Sequence, residues 1–72
     1  MHIKSYLEEK ATKLTNAEIA NQLGISVAMI SSYKNKNFNP SLSVAKKVYQ
    51  MDEVVLHPFS EEAIKYEIEK DK

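Results

Sequence analysis

A chain of 72 residues has room for one domain, and at this size folding hides only about 60% of the surface the unfolded chain exposes, so the core is small and dimerisation would support it. With no cysteine, disulfides and thiolate metal sites are excluded as supports; no apolar run reaches membrane-spanning length, and Met1 to Ser5 lacks a secretory apolar stretch, so a soluble cytoplasmic protein is expected. Ten basic residues, all lysine, balance ten acids, and a net charge of zero argues at first against a nucleic-acid binder, whose affinity comes largely from phosphate neutralisation.

Ile3, Tyr6, Leu7 and Ala11 recur at helical spacing and predict a first helix over about 2–12. Thr15 is a good N-cap, Glu18 completes a capping box, and Leu14 can staple onto Ile19, so a second helix starts here and runs to Gln22 or Leu23. Its residues Ile19 and Leu23 share one face, with Ala20 small enough to let another helix approach. Gly24 supplies the left-handed conformation that ends the helix and lets the chain reverse within about three residues. Ser26 then caps a third helix over about 26–34. Ile25, Ile30 and Tyr33 fall on the side facing Ile19 and Leu23, while Val27, Ala28, Ser31, Ser32, Lys34 and Asn35 face away.

The polar run from Asn35 to Asn39 predicts a loop in which Phe38 plugs the core. Pro40 suits the first turn of a fourth helix reaching about Met51, with Leu42, Ala45, Val48 and Tyr49 as its core-facing stripe. Residues 53–58 contain the triplet Val54, Val55 and Leu56, which can close the core as a helical turn or pair with its copy in a second subunit as a short strand. Ser60 caps a final helix with Phe59 at the staple position for Ile64. Ala63, Ile64 and Ile68 then form a narrow apolar stripe amid glutamates and lysines, a face that needs a partner. The expected fold class is all-α, one compact domain of four or five helices in which residues 59–72 are an acidic C-terminal helix.

Residues Asn16 to Asn35 thus describe two short helices meeting across a tight turn, the outer face of the second being small and polar enough to enter a DNA major groove. They resemble the helix-turn-helix of phage Cro and repressor proteins and of related small bacterial transcriptional regulators. Where that family carries a small residue, a turn glycine four later and an aliphatic residue six after that, this chain has Ala20, Gly24 and Ile30. The family's buried positions correspond to Ile19, Leu23, Ile25, Ile30 and Tyr33, and the likeness continues through Asn39-Pro40-Ser41-Leu42, Ala45 and Val48 to about Met51 before it fades. The resemblance implies a Cro/repressor-like DNA-binding domain over 1–58 with double-stranded DNA as its partner. It further implies a sequence-specific regulator, most simply a repressor bound as a homodimer to a palindromic operator, its two recognition helices about 34 Å apart.

On that reading the base edges meet Ser26, Val27, Ala28, Ser31, Ser32 and Asn35. Valine and alanine can contact a thymine methyl, serine suits either kind of pair, and asparagine favours adenine. Without arginine, whose clamp on guanine is the commonest specific contact, part of the specificity falls to DNA shape. The sugar-phosphate backbone is assigned to Asn16, Lys34, Lys36, Asn37, Asn39 and Ser41, the first because it begins a helix, where free amides and the dipole favour phosphate.

The charge distribution supports this assignment. Residues 1–50 hold seven lysines against three acids, and residues 51–72 three lysines against seven acids, so a basic reader precedes an acidic tail. Val54, Val55, Leu56, Ala63, Ile64 and Ile68 are the candidates for a dimer or partner contact. The stripe Ala63, Ile64 and Ile68 also motivates a second reading, an antitoxin or accessory phage or plasmid protein whose acidic Ser60 to Lys72 helix grips another protein. A third, favoured by zero net charge and the missing arginine, is an interaction module that does not bind DNA. His2 and His57 have no carboxylate or cysteine at ligand spacing, and the acids of the tail have no nucleophile beside them, so no metal, cofactor or enzymatic role is expected.

Overall fold

Four of the five helices among the described residues begin at a hydroxyl that the sequence supplies at the right place. The computed structural model describes residues 1–36 and 38–71, and among them lie α1 (Ile3–Lys10), α2 (Asn16–Leu23), α3 (Val27–Asn35), α4 (Leu42–Asp52) and α5 (Glu61–Lys70). The side-chain oxygens of Thr15, Ser26, Ser41 and Ser60 accept from the backbone N–H of Glu18, Met29, Val44 and Ala63, starting α2 to α5 in turn. Each such cap stabilises its helix by about 1 kcal/mol. Thr15 and Glu18 close the full reciprocal capping box. α1 starts after His2 with no side-chain cap.

All five helices are short, so packing rather than propensity must hold them. α3 lies against both α1 and α2, while α4 joins α2 to α5. The central core takes Ile3, Tyr6 and Leu7 from α1, Ile19, Ala20 and Leu23 from α2, Ile30 and Tyr33 from α3, and Val44 and Val48 from α4. Leu14, Ile25 and Val54 pack on its margin. The radius of gyration, 11.7 Å, is close to the roughly 11 Å of a single globule of this length, so α5 is folded onto the rest rather than extended from it.

Several expectations are corrected. No strand forms at 53–57 among the described residues. Instead α4 ends on Glu53 in the left-handed conformation (φ 56°), and the chain turns so that Leu56 is fully buried in the common core. Phe38 does not plug the core: Tyr33 already closes that side, and the Phe38 ring stands outside it, edge-on at 6.2 Å and 42% exposed. Pro40 is the buried residue of this loop and lies outside α4, which starts one residue after the Ser41 cap. The buried stripe of α4 is Val44, Ala45 and Val48. These span about 100° of arc, and Leu42, more than about 100° from its middle, is left at the surface. For the same reason Ala63, about 100° round α5 from the fully buried Ile64, is exposed while Ile68 is half-buried.

Long-range polar contacts brace the packing. The Asp52 carboxylate at the end of α4 accepts from the Tyr6 hydroxyl at 2.5 Å and pairs with the Lys10 ammonium at 2.8 Å, tying it to α1. Hydrogen bonds from Lys10 and then from Tyr6 hold the Asp52 carboxyl below the usual carboxylate range. Burial, and then the hydrogen bond to Asp52 and its charge, push the Tyr6 phenol well above its ordinary value. Lys46 of α4 pairs with Asp71 just beyond α5. At the other end His57 N–H donates to the Met1 carbonyl at 2.7 Å and the Met1 nitrogen donates to the Val55 carbonyl at 3.1 Å, so the first residues are strapped to the segment that carries Leu56.

Two consequences are measurable. Leu56→Ala is expected to destabilise the fold by about 2–5 kcal/mol in urea unfolding, and the half-buried Val55→Ala by about 1 kcal/mol; equal small losses would mean that Leu56 is not a core residue. The stability that Asp52 contributes is complete above the ordinary carboxylate range and is lost as pH falls through its lowered folded value. Asp52→Asn should therefore cost about 1 kcal/mol near neutral pH and almost nothing in strong acid, so a gap that stays constant with pH would break the link.

Candidate nucleic-acid interface

The site is built on the turn between α2 and α3. Gly24 ends α2 at φ 68°, its N–H bonding the Asn21 carbonyl at 3.3 Å while the Ile25 N–H reaches the Ala20 carbonyl at 3.0 Å. This pair of bonds is the Schellman arrangement, which satisfies the last carbonyls of α2 as the chain reverses. Gly24 is needed for its backbone conformation; a Cβ there would meet only the far end of the exposed Lys47 side chain, at 2.9 Å, which can swing aside. Ile25 packs on the edge of the core, and Ser26 starts α3 at once.

α3 is fixed by two residues. Ile30 has no exposed surface and Tyr33 almost none, and both sit in the core with α1 and α2. The opposite face carries the expected base-reading residues: Val27 (46% exposed), Ala28, Ser31, Asn35 and the cap Ser26 are exposed, and Ser32 is half-buried. Every one of these side chains is short. Met29, which the periodicity did not single out, joins them at 37% exposure.

The residues expected on the sugar-phosphate backbone fall into two groups. Asn16 begins α2 and Lys34 lies in the last turn of α3, yet the Lys34 ammonium donates to Asn16 Oδ1 at 2.9 Å, so the start of one helix is latched to the end of the other. Lys36, Asn39 and Ser41 are exposed around the loop that leaves α3, with the Lys36 ammonium 5.8 Å from the centre of the Phe38 ring. Ser41 is committed as the cap of α4, and Asn37 lies outside the described residues. Lys47, absent from the sequence-based set, brings a further ammonium to the α2–α3 turn from α4, more than twenty residues away in the chain.

The candidate partner contacts divide differently. Leu56 and Ile64 are fully buried within the chain and present no surface to a second molecule. Val54, Val55 and Ile68 are half-buried and Ala63 is exposed, beside Tyr66 at 66% exposure. The structure also unites two residues that sequence spacing kept apart: His2 and His57 lie with ring centres 4.6 Å apart, brought together by the strap at Met1. No helix among the described residues is long and apolar enough to cross a membrane.

No protein-family model, curated protein or solved structure matches this chain.

Proposed function

We propose that the chain is a sequence-specific double-stranded DNA-binding regulator, acting as a small Cro-like repressor on a palindromic operator as a homodimer. The observation that carries this reading is α3 itself: pinned by Ile30 and Tyr33, latched by Lys34 to Asn16, and presenting mostly short side chains on its free face, with Met29 the longer exception. A rigid helix with a low outer surface can enter the major groove, where Val27 and Ala28 meet thymine methyls, Ser26, Ser31 and Ser32 exchange hydrogen bonds with base edges, and Asn35 favours adenine. Lys36 and Asn39 then face the phosphates. In this role the Asn16–Lys34 latch sets the spacing between α2 and α3, and the ammonium keeps further N–H groups for a phosphate oxygen.

Repression by occupying the operator is the simplest mechanism for such a reader. Val54, Val55, Ala63 and Ile68 remain as the dimer surface. The reading with the strongest rival support is a module that docks on protein instead of DNA, and the exposed Val27 and Met29 on α3 are that support.

Selection of bound sites from random duplexes should return a palindrome whose half-sites are one DNA turn apart, with soft preferences rather than a guanine-rich consensus. Failure to bind any duplex in a titration at low salt would instead favour the protein-docking module. Lys36→Ala and Lys34→Ala should each lower the slope of log affinity against log salt by about one per subunit, and Asn16→Ala should weaken binding with little change of slope. An unchanged slope removes that lysine from the interface.

A further inference from the structure

Beside the loop that leaves α3 lies an open groove of about 490 Å³, within the size range of small-molecule sites. Its basic side chains come from three separate parts of the chain: His2 and Lys4 at the start of α1, Lys36 after α3, and His57 on the strapped segment. Ser5 and Asn39 add neutral donors, and among the described residues no carboxylate lines the groove. Part of the charge elsewhere on the molecule is paired. Lys10, Lys46 and Lys65 pair with Asp52, Asp71 and Glu61, whereas Lys4 and Lys36 have no such ion pair among the described residues. The groove is thus a pocket of uncompensated donors in a chain of zero net charge.

One wall is aromatic. Phe38 is 42% exposed, held edge-on by Tyr33 with the Lys36 ammonium near its face, so a ring is presented to the groove at little cost in ordering. The two imidazoles, 4.6 Å apart, are preset by the backbone bonds between Met1 and residues 55 and 57. Ammonium and imidazole groups facing one space without an acid suit a compact anion, and an exposed ring beside them suits a flat ring on the same molecule.

We propose that this groove binds a small phosphorylated molecule with a flat ring, of the nucleoside monophosphate class. The phosphate sits among Lys4, Lys36 and the two histidines, and the ring lies on Phe38. The site does not depend on the DNA reading, although Lys36 and Asn39 belong to both, so a bound ligand would withdraw them from the phosphates of a duplex.

The test is titration of the whole chain, without DNA, followed by calorimetry and by amide NMR shifts. Adenosine monophosphate and phenyl phosphate should saturate below about 1 mM, with adenosine and inorganic phosphate each weaker by about tenfold or more. Shifts should gather at Ser5, Asn39 and His57. Lys36→Gln and His57→Gln should each weaken adenosine monophosphate by about tenfold, and Lys70→Gln, outside the groove, should leave it unchanged. Absence of saturation, shifts centred elsewhere, or adenosine or inorganic phosphate binding as tightly as the monophosphate would overturn the proposal. If either groove variant fails to fold, the ligand series and shift map on the unaltered chain still decide it, and failure to bind a duplex leaves these readouts untouched.

Discussion

A nine-residue helix in water does not persist by itself, because nucleation costs more than so few hydrogen bonds return. α3 exists in this chain because Ile30 and Tyr33 are driven into a core that α1 and α2 have already half enclosed. The dependence is mutual, since α1 has α3 as its main helical neighbour and would otherwise expose Ile3, Tyr6 and Leu7. Burying an aliphatic or aromatic side chain contributes about 1.5–3 kcal/mol, which makes these two residues of α3 a substantial part of the stability of so small a domain. Their burial also decides which face of α3 is left over. The outward residues follow from the inward ones by the geometry of the helix.

Electrostatics act on this frame in two ways. Read linearly, the chain is basic and then acidic, but folding crosses the two halves, as Asp52 returns to Lys10 and Asp71 to Lys46. Some of the positive charge of the first fifty residues is therefore spent inside the molecule. Lys34, Lys36 and Lys47 stand near the α2–α3 turn and the loop beyond α3, where they are bonded to neutral groups or have no carboxylate within ion-pair distance among the described residues. Net charge is a poor guide to a surface when opposite charges pair off in one region and stay apart in another.

What could be read beforehand was whatever is decided within four or five residues. The capping box at Thr15 and Glu18, the caps at Ser26 and Ser60, and the glycine turn at Gly24 are local devices, and the helices start and stop where these devices stand. The inner face of the α2–α3 pair followed from spacing alone. Errors began where a residue had two local options and a distant neighbour chose between them. Phe38 lost its place to Tyr33, and Leu42 was left out of a stripe that Val44 completes. Leu56 was drawn inward because the core had space, a fact that periodicity over three residues cannot contain. Contacts such as His2 with His57, Tyr6 with Asp52 and Asn16 with Lys34 have no signature along the chain, since each joins residues many turns apart.

Glu53 illustrates a different kind of bargain between sequence and shape. Its left-handed backbone is one that a residue with a Cβ adopts at a cost of about 1–2 kcal/mol, and glycine or asparagine would fit there more comfortably. That strained residue directs the chain away from α4 and toward the burial of Leu56, so a local loss is offset by a distant gain. The fold is consequently not at its stability optimum at this hinge. Chains descended from this one have a single-step route to a firmer domain, open at a residue that lies outside α3 and does not line the groove.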